Sequence, residues 1–255
     1  MRSRQFLVLL CIGGAILALS AGVCSAQEKH APHWGYSGAG GPEHWGELEA
    51  GFAACKTGKQ QSPIDIRNAK KADLPAIEFD YHATPLRIIN NGHSVQVNYG
   101  PGSSITVGGK RYELKQFHFH RPSEEEINRK HFEMVIHIVH ADAGGKNAVV
   151  AVLLTPGAEN AAIATLWKHM PKQKGPEQKF DDVQFNAAGL LPATHGYYTF
   201  EGSLTTPPCS EGVTWYVLET PLTISRQQAA AFAAVYAHNA RPIQPLHGRL
   251  VQESR

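Results

Sequence analysis

The sequence predicts a mainly β fold, a single domain built around a large, mainly antiparallel sheet with peripheral helices. Short runs of β-branched and aromatic residues recur at close spacing, which is typical of a sheet with many strands. Segments rich in Gly and Pro, such as YGPGSS and TPGAEN, separate these runs along the whole chain instead of marking one boundary. We therefore expect one domain over residues 27–255.

Seven strands and two helices can be assigned in order. The expected strands are 86–89, 94–97, 105–107, 113–120, 134–140, 148–154 and 213–218. The expected helices are 160–169 and 226–237, because both segments are rich in alanine and contain no internal proline. A chain of 255 residues with 42% hydrophobic residues is long enough to bury a sizeable core.

The first 26 residues are typical of a secretory signal peptide, and we expect cleavage after Ala26. Arg2 and Arg4 precede an apolar run of about fourteen residues, shorter than the roughly 20 that a membrane-spanning helix needs. A spanning helix and a lipid anchor at Cys24 are the alternatives, although Val23 stands where a lipid anchor needs a small residue. We expect a periplasmic or secreted protein without a membrane anchor after cleavage.

Charge and cysteine content narrow the class of protein further. Removal of residues 1–26 leaves 22 basic and 22 acidic residues and no block of like charge, which argues against nucleic acid or an anionic membrane as partner. Cys11 and Cys24 are lost with the signal peptide, so Cys55 and Cys209 remain. In an exported protein such a pair most simply forms one disulfide, and two free thiols are the alternative.

The stretch QFHFH indicates a metal site. In a strand, Gln116, His118 and His120 share one face, while the two intervening phenylalanines face the other side, which we expect to be a core. The alternating run MVIHIVH can place His137 opposite this pair on a neighbouring strand. Three neutral imidazoles leave one tetrahedral position open, as in catalytic zinc sites. The alternative is three separate core or surface histidines in a chain that contains 14 of them.

Eight motifs together resemble the alpha-class carbonic anhydrases. They are HWGY (33–36), QQSPIDI (60–66), NNGH (90–93), QFHFH (116–120), PSE (122–124), HIVH (137–140), GSLTTPP (202–208) and VTW (213–215), in the family's order. The resemblance implies a central twisted sheet of about ten mostly antiparallel strands. It also implies Zn²⁺ held by Nε2 of His118, Nε2 of His120 and Nδ1 of His137.

The same resemblance implies a zinc lyase that hydrates carbon dioxide reversibly to bicarbonate and a proton, by attack of zinc hydroxide. Thr205 would accept a hydrogen bond from the hydroxide and pass its own proton to Glu124. His93 would act as proton shuttle through ordered water. The expected partners are therefore carbon dioxide, bicarbonate and water. The resemblance does not decide between a monomer and a homodimer.

Further residues receive roles only through the resemblance. The water wires would be held by Tyr36, Asn91 and Gln96, and the substrate pocket would be formed by Val139, Val149, Leu204, Thr205, Thr206, Val213 and Trp215. Gln116 would be the hydrogen-bond partner of His118, and the backbone carbonyl of Asn239 that of His120. The Cys55–Cys209 pair matches the disulfide of exported members and would brace the loop that carries Thr205.

One position departs from the family pattern. Many members carry a glutamate two residues before the third zinc histidine, where this chain has Val135. Glu133 lies on the same strand face but about 13–14 Å from His137, out of hydrogen-bond reach. We expect another acceptor or a water to take over that role.

Two rival functions fit part of the same pattern. His118, His120 and Glu124 also fit the HxHxxxE core of cupins, which bind iron or manganese, but Tyr112 stands where cupins have glycine and 132–134 lacks their PxG. A non-catalytic carbonic-anhydrase-like binding module is the second alternative. Such relatives usually lose a zinc histidine, and this chain keeps all three.

Overall fold

The computed structural model describes residues 33–255. The predicted signal peptide, residues 1–26, lies outside the described part. Within the described part the first strands are β1 (Asp65–Ile66), β2 (Lys70–Ala72), β3 (Ile77–Asp80), β4 (Thr84–Asn90), β5 (Val95–Asn98), β6 (Ser104–Val107), β7 (Lys110–His120) and β8 (Glu126–Ile127). The later strands are β9 (Lys130–His131), β10 (Met134–Ala141), β11 (Asn147–Pro156), β12 (Gln178–Phe185), β13 (Tyr197–Ser203), β14 (Glu211–Leu218), β15 (Leu222–Ile224) and β16 (Gln252–Ser254).

Four short α-helices accompany the strands. They are α1 (Trp45–Leu48), α2 (Ala54–Thr57), α3 (Ala161–Lys168) and α4 (Arg226–Ala233), with single 3₁₀ turns at Gly38–Gly40, Ala50–Phe52 and Ala187–Leu190. None of the helices in residues 33–255 is long and apolar enough to cross a membrane.

Thirteen strands form one mixed sheet, which confirms the predicted mainly β class. Ten of them follow the order β12-β4-β5-β7-β10-β11-β14-β13-β16-β2; of the other three, β15 pairs with β11, and β6 pairs with β7 and β3. Most neighbours are antiparallel, but β11 runs parallel to β14 and β15, and β16 runs parallel to β2. A separate small sheet has the order β1-β8-β9.

Apart from β13, whose seven residues are mostly buried, the strands that sequence patterns did not predict are short or polar. The segment QKFDDVQF forms β12 at the edge of the main sheet, with most of its side chains exposed. An edge strand is paired on one side only and needs few apolar residues, so its pattern resembles a polar loop. The three strands of the small sheet have only two residues each.

Both predicted helices are present, and their ends are defined by side-chain caps. Asn160 accepts a hydrogen bond from the backbone of Ile163 at the start of α3. Ser225 and Gln228 form a capping box at the start of α4, an arrangement that satisfies free backbone donors at a helix N-terminus. The expected helix 226–237 ends earlier, at Ala233, and the chain then turns so that the backbone N–H of Asn239 donates to the carbonyl of Arg121 beside β7.

Alternation along the central strands separates two apolar layers. Ile136 and Ile138 of β10 join the larger core with Phe117 and Phe119 of β7. The preceding residue, Val135, belongs to a second cluster on the opposite face of the sheet, together with Val149, Ala151, Leu153, Val213, Trp215 and Val217. Because successive side chains of a strand point to opposite faces, the imidazoles of β7 and β10 lie on the face of this second cluster.

A disulfide joins Cys55 and Cys209, as predicted. Their Cα atoms are 5.0 Å apart and 154 residues separate them in sequence. Cys209 is fully buried and forms a third apolar cluster with Trp45 and Cys55. The bridge therefore connects the N-terminal segment to the loop that follows β13.

Candidate metal centre

Strands β7 and β10 bring His118, His120 and His137 together. In the antiparallel register His137 lies directly opposite His118, and Val135 lies opposite His120. One nitrogen from each ring lies within 4.8 Å of the others, and the three residues are the one such group of potential metal ligands found in residues 33–255. His120 and His137 are fully buried, whereas His118 is partly exposed.

The second nitrogen of each ring has a fixed hydrogen-bond acceptor. His118 Nδ1 donates to Gln116 Oε1 at 2.8 Å, and His120 Nδ1 donates to the backbone carbonyl of Asn239 at 2.7 Å. His137 uses its other ring atom, Nε2, which lies 3.1 and 3.2 Å from the two carboxylate oxygens of Glu125. Because oxygen acceptors require N–H donors, these bonds leave lone pairs on His118 Nε2, His120 Nε2 and His137 Nδ1.

Burial keeps two of the rings uncharged. Desolvation and the neighbouring His137 lower the pKa of His118 to about 3, and desolvation lowers the pKa of His120 well below its usual value. For His137, burial acts in the same direction, but Glu125 and the charge of Glu124 outweigh it and raise its pKa. Neutral imidazoles are the form that binds metals.

Two buried atoms beside the histidines fit a bound cation. His120 Nε2 and Glu124 Oε2 have no hydrogen-bond partner among the described residues. A buried polar atom without a partner is costly, and a metal ion would satisfy the imidazole nitrogen. Three neutral nitrogen donors with one position left for solvent is the donor set of catalytic zinc. The three histidines could therefore bind a metal ion of this kind.

Glu124 is buried against the same site. Its Oε1 accepts a hydrogen bond of 2.7 Å from the backbone N–H of Arg241, and its Oε2 lies 3.5 Å from His120 Nε2 and 3.7 Å from His137 Nδ1. Desolvation, together with the charge of Glu125, raises the pKa of Glu124 to about 7, while His137, Arg241 and the Thr205 hydroxyl act to lower it.

Thr205 lies in a loop that backbone hydrogen bonds hold closed. Leu204 N–H donates to the carbonyl of Ser210 at 3.0 Å, and Cys209 N–H donates to that of Thr206 at 2.8 Å. Thr205 is buried and Thr206 is partly exposed. The Cys55–Cys209 disulfide anchors the end of this loop.

The five apolar residues expected to line the substrate pocket belong to one cluster, which also contains Val135. They are Val139, Val149, Leu204, Val213 and Trp215. Val149 lies opposite Val139 on one neighbouring strand and opposite Trp215 on the other. The Trp215 ring contacts His137 edge-on, with 4.9 Å between ring centroids, and its Nε1 donates to the carbonyl of Ser203. The apolar wall thus adjoins the metal centre.

His93 lies at the end of the NNGH turn and stacks on Trp34. The ring centroids are 3.5 Å apart and the ring planes differ by 9°. His93 Nε2 also lies 3.1 Å from His33 Nε2. Desolvation, followed by the charges of His33 and Lys174, lowers the pKa of His93 to about 4. In this stacked position the ring binds a proton less readily than a free imidazole.

Of the three residues expected to hold the water wires, two are hydrogen-bonded to each other and the third is not. Gln96 lies directly opposite His118 in the pairing of β5 with β7, and its Oε1 accepts a hydrogen bond of 3.2 Å from Asn91 Nδ2. The Tyr36 hydroxyl is buried without a hydrogen-bond partner among residues 33–255, and desolvation together with the charge of Glu124 raises its pKa well above the usual value.

Neither sequence patterns nor the family resemblance assigned a role to Glu125 or Arg241. The buried Arg241 side chain donates to Gln61 Oε1 and to the backbone carbonyls of Ser62 and Cys55. Because its backbone N–H donates to Glu124, Arg241 links the segment 55–62 to Glu124. The signal for Glu125 was its place in a run of three acids that begins four residues after His120. A run of acids in a polar segment resembles a solvated loop, and its burial became visible only in the fold.

Comparisons with known proteins agree with this geometry. The family model for eukaryotic-type carbonic anhydrase matches residues 40–255. A carbonic anhydrase of Nostoc sp. is 42% identical over 98% of this chain and 97% of that protein, and one of Neisseria gonorrhoeae is 45% identical over 93% and 94%. The solved alpha-carbonic anhydrase of Thermovibrio ammonificans, in complex with the inhibitor sulfanilamide, superposes with a TM-score of 0.84 at 43% identity, covering 88% of this chain and 99% of that one.

Proposed function

Because the chain belongs to the eukaryotic-type carbonic anhydrase family, we propose that it catalyses the reversible hydration of carbon dioxide to bicarbonate and a proton. The observation that carries the proposal is the convergence of three imidazole lone pairs within 4.8 Å. Each ring is held by an acceptor on its other nitrogen. The three side chains are thus oriented to bind a metal ion.

Zn²⁺ is the ion that this donor set fits, with His118 Nε2, His120 Nε2 and His137 Nδ1 as ligands. Zinc bound by three neutral ligands lowers the pKa of water in its fourth position to about 7, an effect for which carbonic anhydrase is itself the usual example. Outer hydrogen bonds from Gln116 and the Asn239 carbonyl keep two of the rings in the tautomer that the metal needs.

Thr205 and Glu124 orient the attacking oxygen. Glu124 is fixed through Oε1 by Arg241, so Oε2 is free to accept the proton of the Thr205 hydroxyl. A threonine that donates to a carboxylate presents only its lone pairs to the nucleophile, which must then donate its own hydrogen to Thr205. The remaining lone pair of the nucleophile is thereby directed at the substrate carbon, a positioning effect.

The apolar wall binds the substrate. Carbon dioxide has no net dipole, and Val149, Val213 and Trp215 provide a dry surface beside the metal centre, with Val139 and Leu204 at its edge. The Thr206 hydroxyl forms the polar side. Bicarbonate is charged and is poorly held by such a surface, which favours its exchange for water.

His93 exports the proton. In the stacked position its pKa of about 4 is too low for exchange with water that ionises near 7. A ring rotated away from Trp34 into solvent regains a pKa of about 6.5, which suits transfer in both directions. Asn91, Gln96 and Tyr36 supply polar atoms for the water path between His93 and the metal centre.

The disulfide supports an exported location. A structural disulfide is typical of proteins that fold in an oxidising environment. Together with the signal sequence, it supports a periplasmic or secreted enzyme that equilibrates carbon dioxide with bicarbonate outside the cytoplasm. Cell fractionation that finds the activity in the cytosol would contradict this assignment.

The proposed function is tested with the purified protein. We expect about one zinc per chain by metal analysis, rapid carbon dioxide hydration in a stopped-flow assay, and inhibition by acetazolamide. His118→Asn should abolish zinc binding and hydration, and the matched control His131→Asn, which changes a histidine outside the triad, should keep both. Bound zinc without hydration would favour a binding module, and bound iron or manganese would favour the cupin alternative.

A further inference from the structure

Glu125 occupies the place next to His137 that the strand itself leaves without an acceptor. Its side chain is fully buried, and both carboxylate oxygens lie within 3.2 Å of His137 Nε2. Glu125 does not belong to β10, which carries His137, but to the segment between β7 and β8. The acceptor for the third imidazole therefore comes from a different part of the chain.

Strand β10 and the residue before it offer His137 Nε2 no alternative hydrogen-bond acceptor. Val135, two residues before His137 on the same face, is fully buried in the apolar cluster with Val149, Leu153 and Trp215. Glu133 is partly exposed and pairs with Arg121, whose Nε lies 3.1 Å from its Oε1. Among the described residues, Glu125 is the one whose side chain is hydrogen-bonded to His137 Nε2.

The backbone on both sides of Glu125 is fixed. The Ser123 hydroxyl donates to the Glu125 carbonyl at 2.8 Å and accepts from Phe132 N–H at 2.8 Å. The following residue, Glu126, begins β8 and pairs with Asp65 of β1, and its N–H donates to the Ile64 carbonyl. The segment is thus tied to the start of β10 and to the small sheet, which limits the movement of the Glu125 carboxylate.

Two consecutive acids bracket one imidazole. Glu124 Oε2 lies 3.7 Å from His137 Nδ1, on the metal side, whereas Glu125 Oε1 lies 3.1 Å from Nε2, on the opposite side of the ring. Glu124 is held by the backbone N–H of Arg241 and lies on the metal side of the ring. The carboxylate of Glu125 is hydrogen-bonded to the ligating residue His137 from the other side. The two carboxylates therefore have separate tasks.

We propose that Glu125 is the positioning residue of His137: its carboxylate, supplied by a loop in place of the strand position occupied by Val135, holds the ring with Nδ1 toward the metal and strengthens zinc binding. The inference rests on the proposed zinc site but makes its own claim about metal affinity. A ligating histidine that donates its second N–H to a carboxylate is a stronger ligand, and loss of such a partner typically costs about 10–100-fold in metal affinity or activity.

Positions 125 and 135 should be exchangeable as sources of the acceptor. A glutamate at 135 lies two residues from His137 on the same strand face, at a Cα separation of about 6.8 Å, which its side chain can span. In the presence of Glu125 it would add a second carboxylate to a buried site, which is unfavourable. Without Glu125 it would restore the missing acceptor. Val135→Glu should therefore be unfavourable when residue 125 is Glu and should strengthen zinc binding when residue 125 is Ala.

The test measures the rate of zinc loss from the holoprotein into excess dipicolinate. Glu125→Ala should lower zinc affinity by about 10–100-fold, and Glu125→Gln should cause a smaller loss, because its amide oxygen still accepts but carries no charge. The control Glu126→Ala removes the adjacent acid, which pairs with His131 at 2.9 Å outside the triad, and should retain zinc like wild type. Val135→Glu should slow zinc loss in the Glu125→Ala background and impair folding in the wild type.

A second readout separates ligand positioning from general stability. The visible spectrum of the cobalt-substituted protein reports ligand geometry and should change for Glu125→Ala but not for Glu126→Ala. Zinc loss from Glu125→Ala at the wild-type rate would overturn the inference, and if that variant does not fold, equal rates for Glu125→Gln and wild type would overturn it. A wild-type zinc protein that does not hydrate carbon dioxide would refute the proposed function while leaving the zinc affinities to decide the role of Glu125.

Discussion

Removal of the Cys55–Cys209 disulfide should cost a large part of the free energy of unfolding. The bridge closes a loop of 154 residues, so in the chain-entropy description its loss stabilises the unfolded ensemble by about 5 kcal/mol. For a domain of this size, each kcal/mol corresponds to about 2–4 °C in Tm, so we expect the double variant Cys55→Ala/Cys209→Ala to melt roughly 10–20 °C lower. Alanine is suitable because both positions are buried and apolar.

The assay is urea unfolding of wild type and double variant, each with and without reductant. Reductant should destabilise the wild type by a similar amount and leave the double variant unchanged. A loss below about 1 kcal/mol would refute the reasoning, because the bridge would then not restrict the unfolded chain as its long loop requires. Carbon dioxide hydration by the folded double variant at 25 °C tests separately whether the bridge also braces the Thr205 loop.

Three further predictions concern the candidate site. Thr205→Val should reduce kcat/KM by on the order of 100-fold through loss of orientation with the zinc content unchanged, and a normal rate would remove Thr205 from the mechanism. His93→Ala should lower kcat in dilute buffer, by up to roughly 100-fold, and should recover in concentrated imidazole, whereas equal rates at all buffer strengths would exclude the relay. Trp34→Ala should raise the pKa of His93 from about 4 toward about 6.5, as followed by NMR titration, because it exposes the ring. The stacked contact favours the neutral ring, so its contribution to the free energy of unfolding falls as pH drops from about 6.5 to about 4. An unchanged pKa of His93 would show that Trp34 is not the cause of its low value.

Most of the fold prediction came from apolar side chains that alternate with a period of two residues along the strands. The buried alternation of QFHFH and MVIHIVH identified β7, β10 and the face that their histidines share, because apolar side chains mark one side of a strand. Edge strands such as β12 escaped prediction since their exposed side chains follow no such pattern. The end of α4 was also missed, because it depends on the approach of Asn239 to Arg121, a contact between residues 118 positions apart.

In the candidate site too, local sequence revealed some residues, while others depend on contacts between distant segments. Histidines in an alternating strand can be recognised locally, and family motifs extended the expectation to Thr205, Glu124 and His93. Neither source identified the acceptor of His137, because nothing in the run of three acids marks Glu125 as the one that meets the imidazole. Glu124 is equally buried, and Glu126 is partly exposed. The cost of burying a carboxylate is offset there by the imidazole N–H, a partner that local sequence does not reveal.

The sequence by itself determined which side chains share a strand face, which cysteines are available to pair, and which residue types can bind a metal. These properties depend on neighbouring residues and on the fixed geometry of the extended backbone. Only the tertiary structure decided that a loop acid reaches His137, that Arg241 links the segment 55–62 to Glu124, and that Trp34 covers His93. Such contacts join residues far apart in the chain. The burial of these side chains and the charges beside them exist only once the sheet has assembled.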